Sequence, residues 1–142
     1  MKDDRPLWMD TWGWYALADQ DEAQHTKVKE IYRNATAGQI KTSDFILDET
    51  ITLLFRKLSF ASAGKFITSL FSATQQGFIQ LIWVTPPVLE EAWNLRLRYT
   101  DKPRISFTDL TSMVLMREYG IAKVITHDAH FTHTGFGFEL LP

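Results

Sequence analysis

Apolar and polar residues follow two different periods along the chain, and their alternation predicts strands separated by helices. Short runs rich in apolar and β-branched residues indicate buried strands, and such runs occur at residues 7–9, 39–42, 78–84, 123–126 and 136–141. Between them, apolar residues recur three and four positions apart, which is typical of amphipathic helices. The predicted helices extend from residue 12 to about 34 with a break after 18, and over 45–58, 61–74, 86–100 and 106–120.

Residues that start and stop helices support these boundaries. Ser43 or Asp44 precedes the helix at 45, and either is a favourable N-cap. Pro86 opens the helix after the third strand, and Gly120 stands where glycine commonly ends a helix. Strands that alternate with helices predict βαβ units and a parallel sheet in an α/β fold. We expect one domain over residues 1–142, because this length is typical of a domain with its own core.

Composition narrows the classes of function. The chain has no cysteine, which excludes disulfide scaffolds, cysteine-ligated zinc and thiol nucleophiles. No apolar stretch approaches the roughly 18 residues of a membrane span, and the acidic N-terminal segment does not resemble a signal peptide. We therefore expect a soluble cytoplasmic protein with no membrane association. The formal net charge of -2 does not indicate a basic nucleic-acid binder, although a metal ion could join an acidic site to phosphate.

Two aspartates directly follow predicted strands. Asp10 comes after the first apolar run, and Asp128 comes after residues 124–127. In open α/β sheets, ligands bind at the carboxyl ends of the strands, so both carboxylates are candidates for one site. The alternative is that each aspartate only caps the next helix.

Glu49 is a third candidate because of its neighbours on the predicted helix. Phe45, Ile46 and Leu53 surround it at positions minus four, minus three and plus four, so we expect a carboxylate that is withdrawn from the surface. Arg56 lies on the same side of the helix. The alternative is therefore a partly buried structural salt bridge between Glu49 and Arg56.

Asp109 is the fourth candidate, and it has a good structural explanation of its own. It lies three residues after Ser106, which fits a capping box written with aspartate in place of glutamate. Ser112, Met113 and Met116 share its helical face. The face along which Asp109 points is therefore only weakly polar.

The four acidic residues indicate a metal site more strongly together than singly. Two carboxylates about 4 Å apart repel by roughly 4 kcal/mol at an effective dielectric near 20, so such a cluster is tolerated mainly when a cation neutralises it. Carboxylate ligands in a cysteine-free chain favour Mg²⁺ or Mn²⁺ over zinc. Such ions activate water and stabilise charge on a phosphodiester, which is consistent with a nuclease.

Five segments, taken in order, resemble the motifs of the PIN-domain family and of its VapC-type toxins. Residues 8–11, Trp-Met-Asp-Thr, resemble the start of these domains, where a hydrophobic residue, aspartate and threonine or serine follow one another. Residues 42–50 are similar to the segment that supplies the family's glutamate, residues 106–109 to its third acidic motif and residues 125–131 to its fourth. Residues 135–142 resemble the usual ending. The resemblance covers essentially the whole chain.

The resemblance implies a three-layer α/β/α fold around a central, mostly parallel sheet. It also implies an endoribonuclease that hydrolyses RNA phosphodiester bonds with Mg²⁺ or Mn²⁺. The metal ligands and catalytic residues that carry over are Asp10, Glu49, Asp109 and Asp128. For the VapC-type branch, it implies the toxin of a type II toxin-antitoxin pair, a cognate antitoxin that occludes the site, and often a homodimer.

Two other functions are compatible with such a fold. A catalytically inactive module would bind RNA or dimerise without chemistry, but a degenerate site would be expected to have lost an acid, and all four are present. Another Mg²⁺-dependent phosphohydrolase is the second alternative. An aspartyl-phosphate mechanism is disfavoured there, because Asp10 is followed by Thr11 and Trp12 and not by a second aspartate two positions on.

Three threonines lie beside the acids. Thr11, Thr108 and Thr126 are each one or two residues from an acidic candidate, and their hydroxyls could orient metal ligands or water. Ordinary β-branched or capping roles explain them equally well.

Three histidines recur at a spacing that could suggest zinc. His127, His130 and His133 are three residues apart, and on a regular helix of about 3.6 residues per turn they would spread over about 200°. We therefore do not expect a zinc site, although one of the three could contact phosphate.

Aromatic and basic residues are the remaining candidates for RNA contact. Trp8, Trp12, Trp14 and Tyr15 could stack on bases, but their place in the first strand and helix indicates the core. Trp12 departs from the family, in which small polar residues are common after the first acid. The basic residues are scattered, which indicates solvated surface, with an RNA path as the alternative. They are Arg56, Lys57, Lys65, Arg96, Arg98, Lys102 and Arg104.

Overall fold

Five short strands form one parallel sheet. The computed structural model describes residues 2–142, and its strands are β1 (Leu7–Met9), β2 (Ile40–Ser43), β3 (Ile79–Ile82), β4 (Lys123–Ile125) and β5 (Glu139–Leu141). Their order across the sheet is β3-β2-β1-β4-β5, and every neighbouring pair is parallel. β1 lies at the centre, and all of its residues are buried.

Helices connect the strands. Within residues 2–142 they are α1 (Thr11–Ala18), α2 (His25–Asn34), α3 (Asp44–Lys57), α4 (Phe60–Gln75), α5 (Pro86–Arg98) and α6 (Phe107–Glu118), and a 3₁₀ turn covers Ala129–Thr132. None of these helices is both long enough and apolar enough to cross a membrane.

The direction of the connections places the helices in two layers. The chain adds strands from β1 outward to β3 and then returns to β4 on the other side of β1. Because crossovers between parallel strands are right-handed, α1 to α4 cover one face of the sheet, and α5 and α6 cover the other. α1 packs against α2 and α3, and α5 packs against α6. The predicted three-layer α/β/α fold with a parallel sheet is confirmed.

The junction of β2 and α3 selects one of the two predicted N-caps. Ser43 ends β2, and its Oγ accepts a hydrogen bond from Ile46 N–H at 3.1 Å. Asp44 begins α3, and its carboxylate accepts a hydrogen bond from Val84 N–H at 2.7 Å. Ser43 is therefore the cap, and Asp44 ties the start of α3 to the chain just after β3.

The strand predicted over 123–126 ends one residue earlier, at Ile125, and two other predicted strands are shorter by three residues each. The strand predicted over 78–84 is only Ile79–Ile82, because Val84 N–H donates to Asp44 and not to a neighbouring strand. The strand predicted over 136–141 is only Glu139–Leu141. Gly135 and Gly137 have φ angles of 73° and 80°, and this left-handed conformation is incompatible with extended backbone.

α1 approaches the sheet most closely at Gly13. A Cβ atom added there would lie 2.4 Å from Met9 Sδ and 2.9 Å from the backbone oxygen of Ile125. Glycine therefore allows α1 to pack directly on β1 and β4. This contact sets the first turn of α1 beside the carboxyl ends of both strands.

Gly13→Ala is expected to lower the melting temperature by about 3–10 °C, because overpacking a core costs about 1–3 kcal/mol. Gly64→Ala is the matched control. Gly64 is also helical, but nothing lies within 4 Å of its added Cβ, so better helix propensity should preserve or raise the melting temperature. Thermal unfolding followed by circular dichroism measures both. Equal melting temperatures for the two variants would contradict the close packing of α1.

Candidate active site

The carboxyl ends of β1 and β4 bring Asp10 and Asp128 together through one threonine. Met9 and Ile125 are register partners, so Asp10 and Thr126 follow on adjacent strands. Thr126 Oγ1 donates a hydrogen bond to Asp10 Oδ2 at 2.8 Å and accepts one from Asp128 N–H at 3.1 Å. The Thr126 hydroxyl therefore fixes the side chain of one aspartate and the backbone of the other.

The helix-capping alternative describes Asp128 but not Asp10. Asp10 precedes α1, yet its side chain makes no capping hydrogen bond, and the residue is only 5% exposed. Asp128 Oδ1 accepts a hydrogen bond from His130 N–H at 2.9 Å and so caps the 3₁₀ turn. Burial without a capping role leaves Asp10 without a structural explanation.

Asp109 reaches the same region from the first turn of α6. Ser106 is the N-cap of this helix, and its Oγ accepts a hydrogen bond from Asp109 N–H at 3.0 Å. That bond uses the backbone of Asp109, so the cap does not depend on the carboxylate. Every residue from Asp109 to Met116 is buried, which holds the start of α6 firmly in place.

Glu49 is placed differently from the prediction. The buried face of α3 runs through Ile46, Thr50 and Leu54, whereas Glu49 is exposed. The expected burial is wrong because that face is centred on Thr50, one residue farther along the helix. No ion pair joins Glu49 to Arg56 within residues 2–142, so the salt-bridge alternative is also wrong.

One concave surface of about 330 Å³ collects these carboxylates at the carboxyl edge of the sheet. This surface is the acid cleft. Its lining includes a strand-end aspartate, two acids from helices and one from the loop after β4. They are Asp10, Glu49, Asp109 and Asp128, and the wall also contains Trp12, Arg104, His127 and His130.

Burial and mutual repulsion raise the pKa values of two of the carboxyl groups. The pKa of Asp109 rises from its ordinary value of 3.8 to about 8, chiefly because burial desolvates its charge, and further because of Asp10 and Asp128. The pKa of Asp10 rises to about 6, again mainly through desolvation, although the hydrogen bond from Thr126 lowers it in part. Without a cation, Asp109 therefore retains its proton near neutral pH.

His130 lies beside two of the aspartates, a position that its spacing in the sequence did not predict. Its Nδ1 is 3.1 Å from Asp128 Oδ1, close enough for an ion pair when the ring is protonated. The angle is not that of a hydrogen bond, and Nδ1 is buried without a hydrogen-bond partner in residues 2–142. One ligand atom from each of Asp109, Asp128 and His130 lies within 4.8 Å of the others. Such a set is compact enough to hold one ion.

The other two histidines have different neighbours. His127 stacks on Trp12 with ring centroids 4.7 Å apart, and His133 meets His130 edge-on at 6.0 Å. Across residues 2–142, only His130 joins acidic residues in a set of ligand atoms close enough for a metal. The three histidines therefore do not form a zinc site.

The threonine and arginine candidates also differ in their surroundings. Thr126 contacts Asp10, whereas the Thr11 hydroxyl is buried without a hydrogen-bond partner among the described residues. Thr108 is half-buried and lines an adjoining hollow together with Glu49. Arg104 is exposed and lines the acid cleft. The sequence identified it only as one of the scattered basic residues for which an RNA path was the alternative to solvated surface.

Comparison with known proteins assigns the family. The family model described as the PIN domain matches residues 9–137, a range that includes all four acids. The chain belongs to the PIN domain family. This PIN domain is 30% identical over 130 residues to the 23S rRNA-specific endonuclease VapC20 of two Mycobacterium tuberculosis strains, CDC 1551 / Oshkosh and ATCC 25618 / H37Rv. The match covers 92% of this chain and 95% of each relative.

Solved structures agree with this assignment. The crystal structure of Mycobacterium tuberculosis VapC20, described as a sarcin-ricin loop cleaving toxin, matches with a TM-score of 0.79 and 28% identity over 92% of this chain and 95% of that one. A DNA-bound VapBC structure from Salmonella typhimurium matches with a TM-score of 0.69 and 11% identity over 96% of this chain and 97% of that one, which shows the fold alone. The predicted family is confirmed, and this PIN domain is a metal-dependent nuclease.

The residues of the acid cleft fit a divalent cation of the Mg²⁺ or Mn²⁺ type. Their donors are carboxylate oxygens with one imidazole nitrogen, which hard and borderline cations accept. The aspartates are desolvated and raise one another's pKa, and the buried hydroxyl of Thr11 beside Asp10 has no hydrogen-bond partner in the part of the chain that the structure describes. A bound cation would neutralise these carboxylates in place of the protons that they retain.

The metal-free protein is expected to lose thermal stability as the pH rises from about 4 to about 8. Because the pKa of Asp109 is about 8 in the folded chain and near 3.8 otherwise, the folded state retains a proton that the unfolded state releases. Rising pH therefore favours unfolding over this interval. Asp109→Asn should flatten the dependence of the melting temperature on pH, whereas Glu118→Gln at the exposed end of α6 should leave that dependence unchanged. Melting temperatures recorded in EDTA between pH 4.5 and 8.5 measure this pH dependence. Parallel curves for wild type and Asp109→Asn would show that Asp109 is not its cause.

Proposed function

We propose that this chain is the toxin of a type II toxin-antitoxin pair, an endoribonuclease that uses Mg²⁺ or Mn²⁺ to hydrolyse RNA phosphodiester bonds. The observation that carries the proposal is the convergence of four carboxylates on the acid cleft. An inactive RNA-binding or dimerisation module has no use for two aspartates whose pKa values are raised, chiefly by burial and further by neighbouring carboxylates. An aspartyl-phosphate hydrolase would need a second aspartate two positions after Asp10, where Trp12 stands.

Four acids would hold the ion, three from the interior of the acid cleft and one from its rim, and their neighbours would keep them in position. Asp10, Asp109 and Asp128 form the interior of the cleft, with Glu49 at its rim. Thr126 would maintain the orientation of Asp10 through the bond at 2.8 Å. The chemistry that a bound divalent ion supplies at such a site is activation of water and stabilisation of charge on phosphate oxygens.

Arg104 is the cation best placed to bind RNA at the acid cleft. It is exposed, lines the cleft and forms no ion pair among the described residues. A guanidinium binds phosphate through parallel hydrogen bonds, so Arg104 would hold a phosphate next to the one that is cut. Arg56 lines the adjoining hollow beside Glu49 and would bind a phosphate farther along the strand.

The RNA that we propose is a loop of large-subunit ribosomal RNA. VapC20 is a 23S rRNA-specific endonuclease, and its structure is that of a sarcin-ricin loop cleaving toxin. Identity of 30% over nearly the full length of both chains supports the same class of substrate. A loop also suits the cleft, because proteins read unpaired and splayed nucleotides more readily than an A-form helix. Ribosomal RNA would place the enzyme in the cytoplasm.

The proposed antitoxin would cover the acid cleft and dock on an apolar hollow. This hollow has a volume of about 380 Å³ and lies between α1, α2 and α4. Its apolar lining consists of Trp14, Leu17, Tyr32, Phe66 and Leu70, with Lys29 and Arg33 beside them. A helix with apolar side chains and flanking acids is the kind of partner that such a groove accepts.

The proposed homodimer would use the exposed side of α5. Leu89, Trp93 and Leu97 are four residues apart and remain 38%, 54% and 57% exposed. A stripe of large apolar side chains on a surface helix marks an interaction face. A second copy of the chain would cover this stripe across a two-fold axis.

Purified protein is expected to cut a synthetic stem-loop copy of the sarcin-ricin loop in Mg²⁺ or Mn²⁺ and to lose all cleavage in EDTA. Adding either ion back should restore the activity, because carboxylate ligands bind such ions reversibly. Electrophoresis of end-labelled RNA measures the products. Cleavage at full rate in EDTA would exclude the metal-dependent mechanism. Metal-dependent cleavage of other RNA but not of this stem-loop would exclude the proposed ribosomal substrate and would leave the metal-dependent mechanism standing.

Replacement of single acids is expected to separate metal ligands from surface charge. Asp10→Asn and Asp109→Asn should lower cleavage more than about 100-fold, since even residues that merely support metal ligands contribute about 10–100-fold. Glu49→Gln should lower it about 10–100-fold. Asp48→Asn is the matched control, because Asp48 is an exposed neighbour of Glu49 on α3 that does not line the acid cleft.

The same variants allow a measurement that does not depend on cleavage. Wild type should gain melting temperature with added Mg²⁺ by mass action, and Asp48→Asn should gain as much. Asp10→Asn and Asp109→Asn should gain clearly less. Full Mg²⁺ stabilisation and full cleavage in the two aspartate variants would show that these carboxylates are not ligands.

A further inference from the structure

One wall of the acid cleft is aromatic. Among the aromatic residues considered as base-stacking candidates, Trp8 and Trp14 are buried in the core, and Tyr15 Oη donates a hydrogen bond to Asp19 at 2.7 Å. Trp12 is the only member of this group that lines the acid cleft. The cleft therefore combines metal-binding carboxylates with an indole at its edge.

Trp12 and His127 form a stacked pair in this wall. Their ring centroids are 4.7 Å apart, and the planes are inclined by 24°. Trp12 is half-buried and packs against the hydrophobic core, whereas His127 is exposed. His127 is therefore the outer layer of the stack, and its exposed surface belongs to the part of the residue that Trp12 does not cover.

The backbone on both sides of His127 is held in place. Thr126 donates its hydroxyl to Asp10, and the same oxygen accepts a hydrogen bond from Asp128 N–H. Trp12 supports the imidazole from below. A ring fixed in this way loses little conformational entropy when a flat ligand stacks on it.

Charge alone is a weak source of RNA affinity for this chain. The formal net charge is -2, and the acid cleft contains four carboxylates against one arginine, Arg104. Proteins that bind single strands add base stacking on aromatic rings to their phosphate contacts, and this term does not depend on net charge. A stacking surface within the cleft would supply affinity at the place where the carboxylates repel the phosphate backbone.

We propose that the Trp12–His127 stack is a platform on which an unpaired nucleobase adjoining the scissile phosphate stacks during cleavage. The proposal rests on the RNA substrate given under the proposed function. His127 provides the contact face, and Trp12 is a positioning residue that holds the imidazole. A nucleobase on His127 would form the third layer of the stack and would fix the neighbouring phosphate over the carboxylates.

Stacking is tested directly in a form of the protein that does not cut. Asp109→Asn protein in Mg²⁺ is mixed with the sarcin-ricin stem-loop RNA in which 2-aminopurine, whose fluorescence is quenched by stacking, replaces each loop base in turn. Binding should quench one loop position. The double variant Asp109→Asn/His127→Ala should show no such quenching. The double variant Asp109→Asn/His127→Phe should still show it, because phenylalanine also presents an aromatic face.

The outcomes of this experiment are decisive in both directions. Equal quenching with and without the His127 ring, or no quenched position at all, would overturn the platform. The same follows if His127→Phe behaves like His127→Ala. Melting temperatures of the His127 variants should stay near that of wild type, since the side chain is exposed, and they separate loss of stacking from loss of fold.

Cleavage kinetics provide the second test. On the intact stem-loop, His127→Ala should lower kcat/KM about tenfold, mainly through KM, with recovery in His127→Phe. An abasic nucleotide at the quenched position should lower kcat/KM of the wild type by a similar factor. It should lower kcat/KM of His127→Ala hardly at all, because the stacking contact is already absent. If the losses from the abasic nucleotide and from His127→Ala multiplied, the missing base and the His127 ring would not share one contact. If wild type cuts no RNA in Mg²⁺, the proposed function fails, and the quenching measurement still decides on the platform.

Discussion

The hydrogen bond from Thr126 Oγ1 to Asp10 Oδ2 joins the ends of two neighbouring strands in a region with little charge compensation. Asp10 is almost fully buried, and a buried carboxylate needs a proton, several hydrogen bonds or a cation. Thr126 supplies one of these hydrogen bonds, whereas Glu49, Asp128 and Asp109 add repulsion. Without a metal ion, the raised pKa of Asp109 favours a proton in the acid cleft, and that proton offsets part of this repulsion.

The strand-end acids were predictable because a parallel sheet leaves little freedom in where its strands end. β1 and β4 pair in register, so residues that follow them must meet at one edge, and Asp10 and Asp128 do. Asp109 was predictable for a related reason, since Ser106 caps α6 and so sets its first turn. The order of the family motifs then supplied the chemistry, which spacing alone did not.

The remaining features depend on contacts that no local pattern contains. A rotation of α3 by one residue, about 100°, separates the expected burial of Glu49 from its observed exposure. His130 joins the aspartates through a 3₁₀ turn, whose period of about three differs from that of the helix assumed for the histidine spacing. The contact of Trp12 with His127 joins residues from opposite ends of the chain, and it required the β1–β4 pairing to be known.

In the proposed function, the proton on Asp109 links metal binding to the assembly of the substrate complex. One proton displaced by the ion lowers the apparent metal affinity about tenfold for each pH unit below about 8. An RNA strand held by Arg104 and by the outer face of His127 would bring phosphate oxygens to the same ion, and would thereby favour the deprotonated, metal-bound cleft. Coupling between two ligands is reciprocal. The factor by which bound RNA raises the affinity for the ion is therefore also the factor by which the bound ion raises the affinity for RNA. The proton on Asp109 weakens binding of the ion alone, and the charge of the carboxylates weakens binding of RNA alone. The acid cleft would therefore favour the ion and the RNA together over either one by itself.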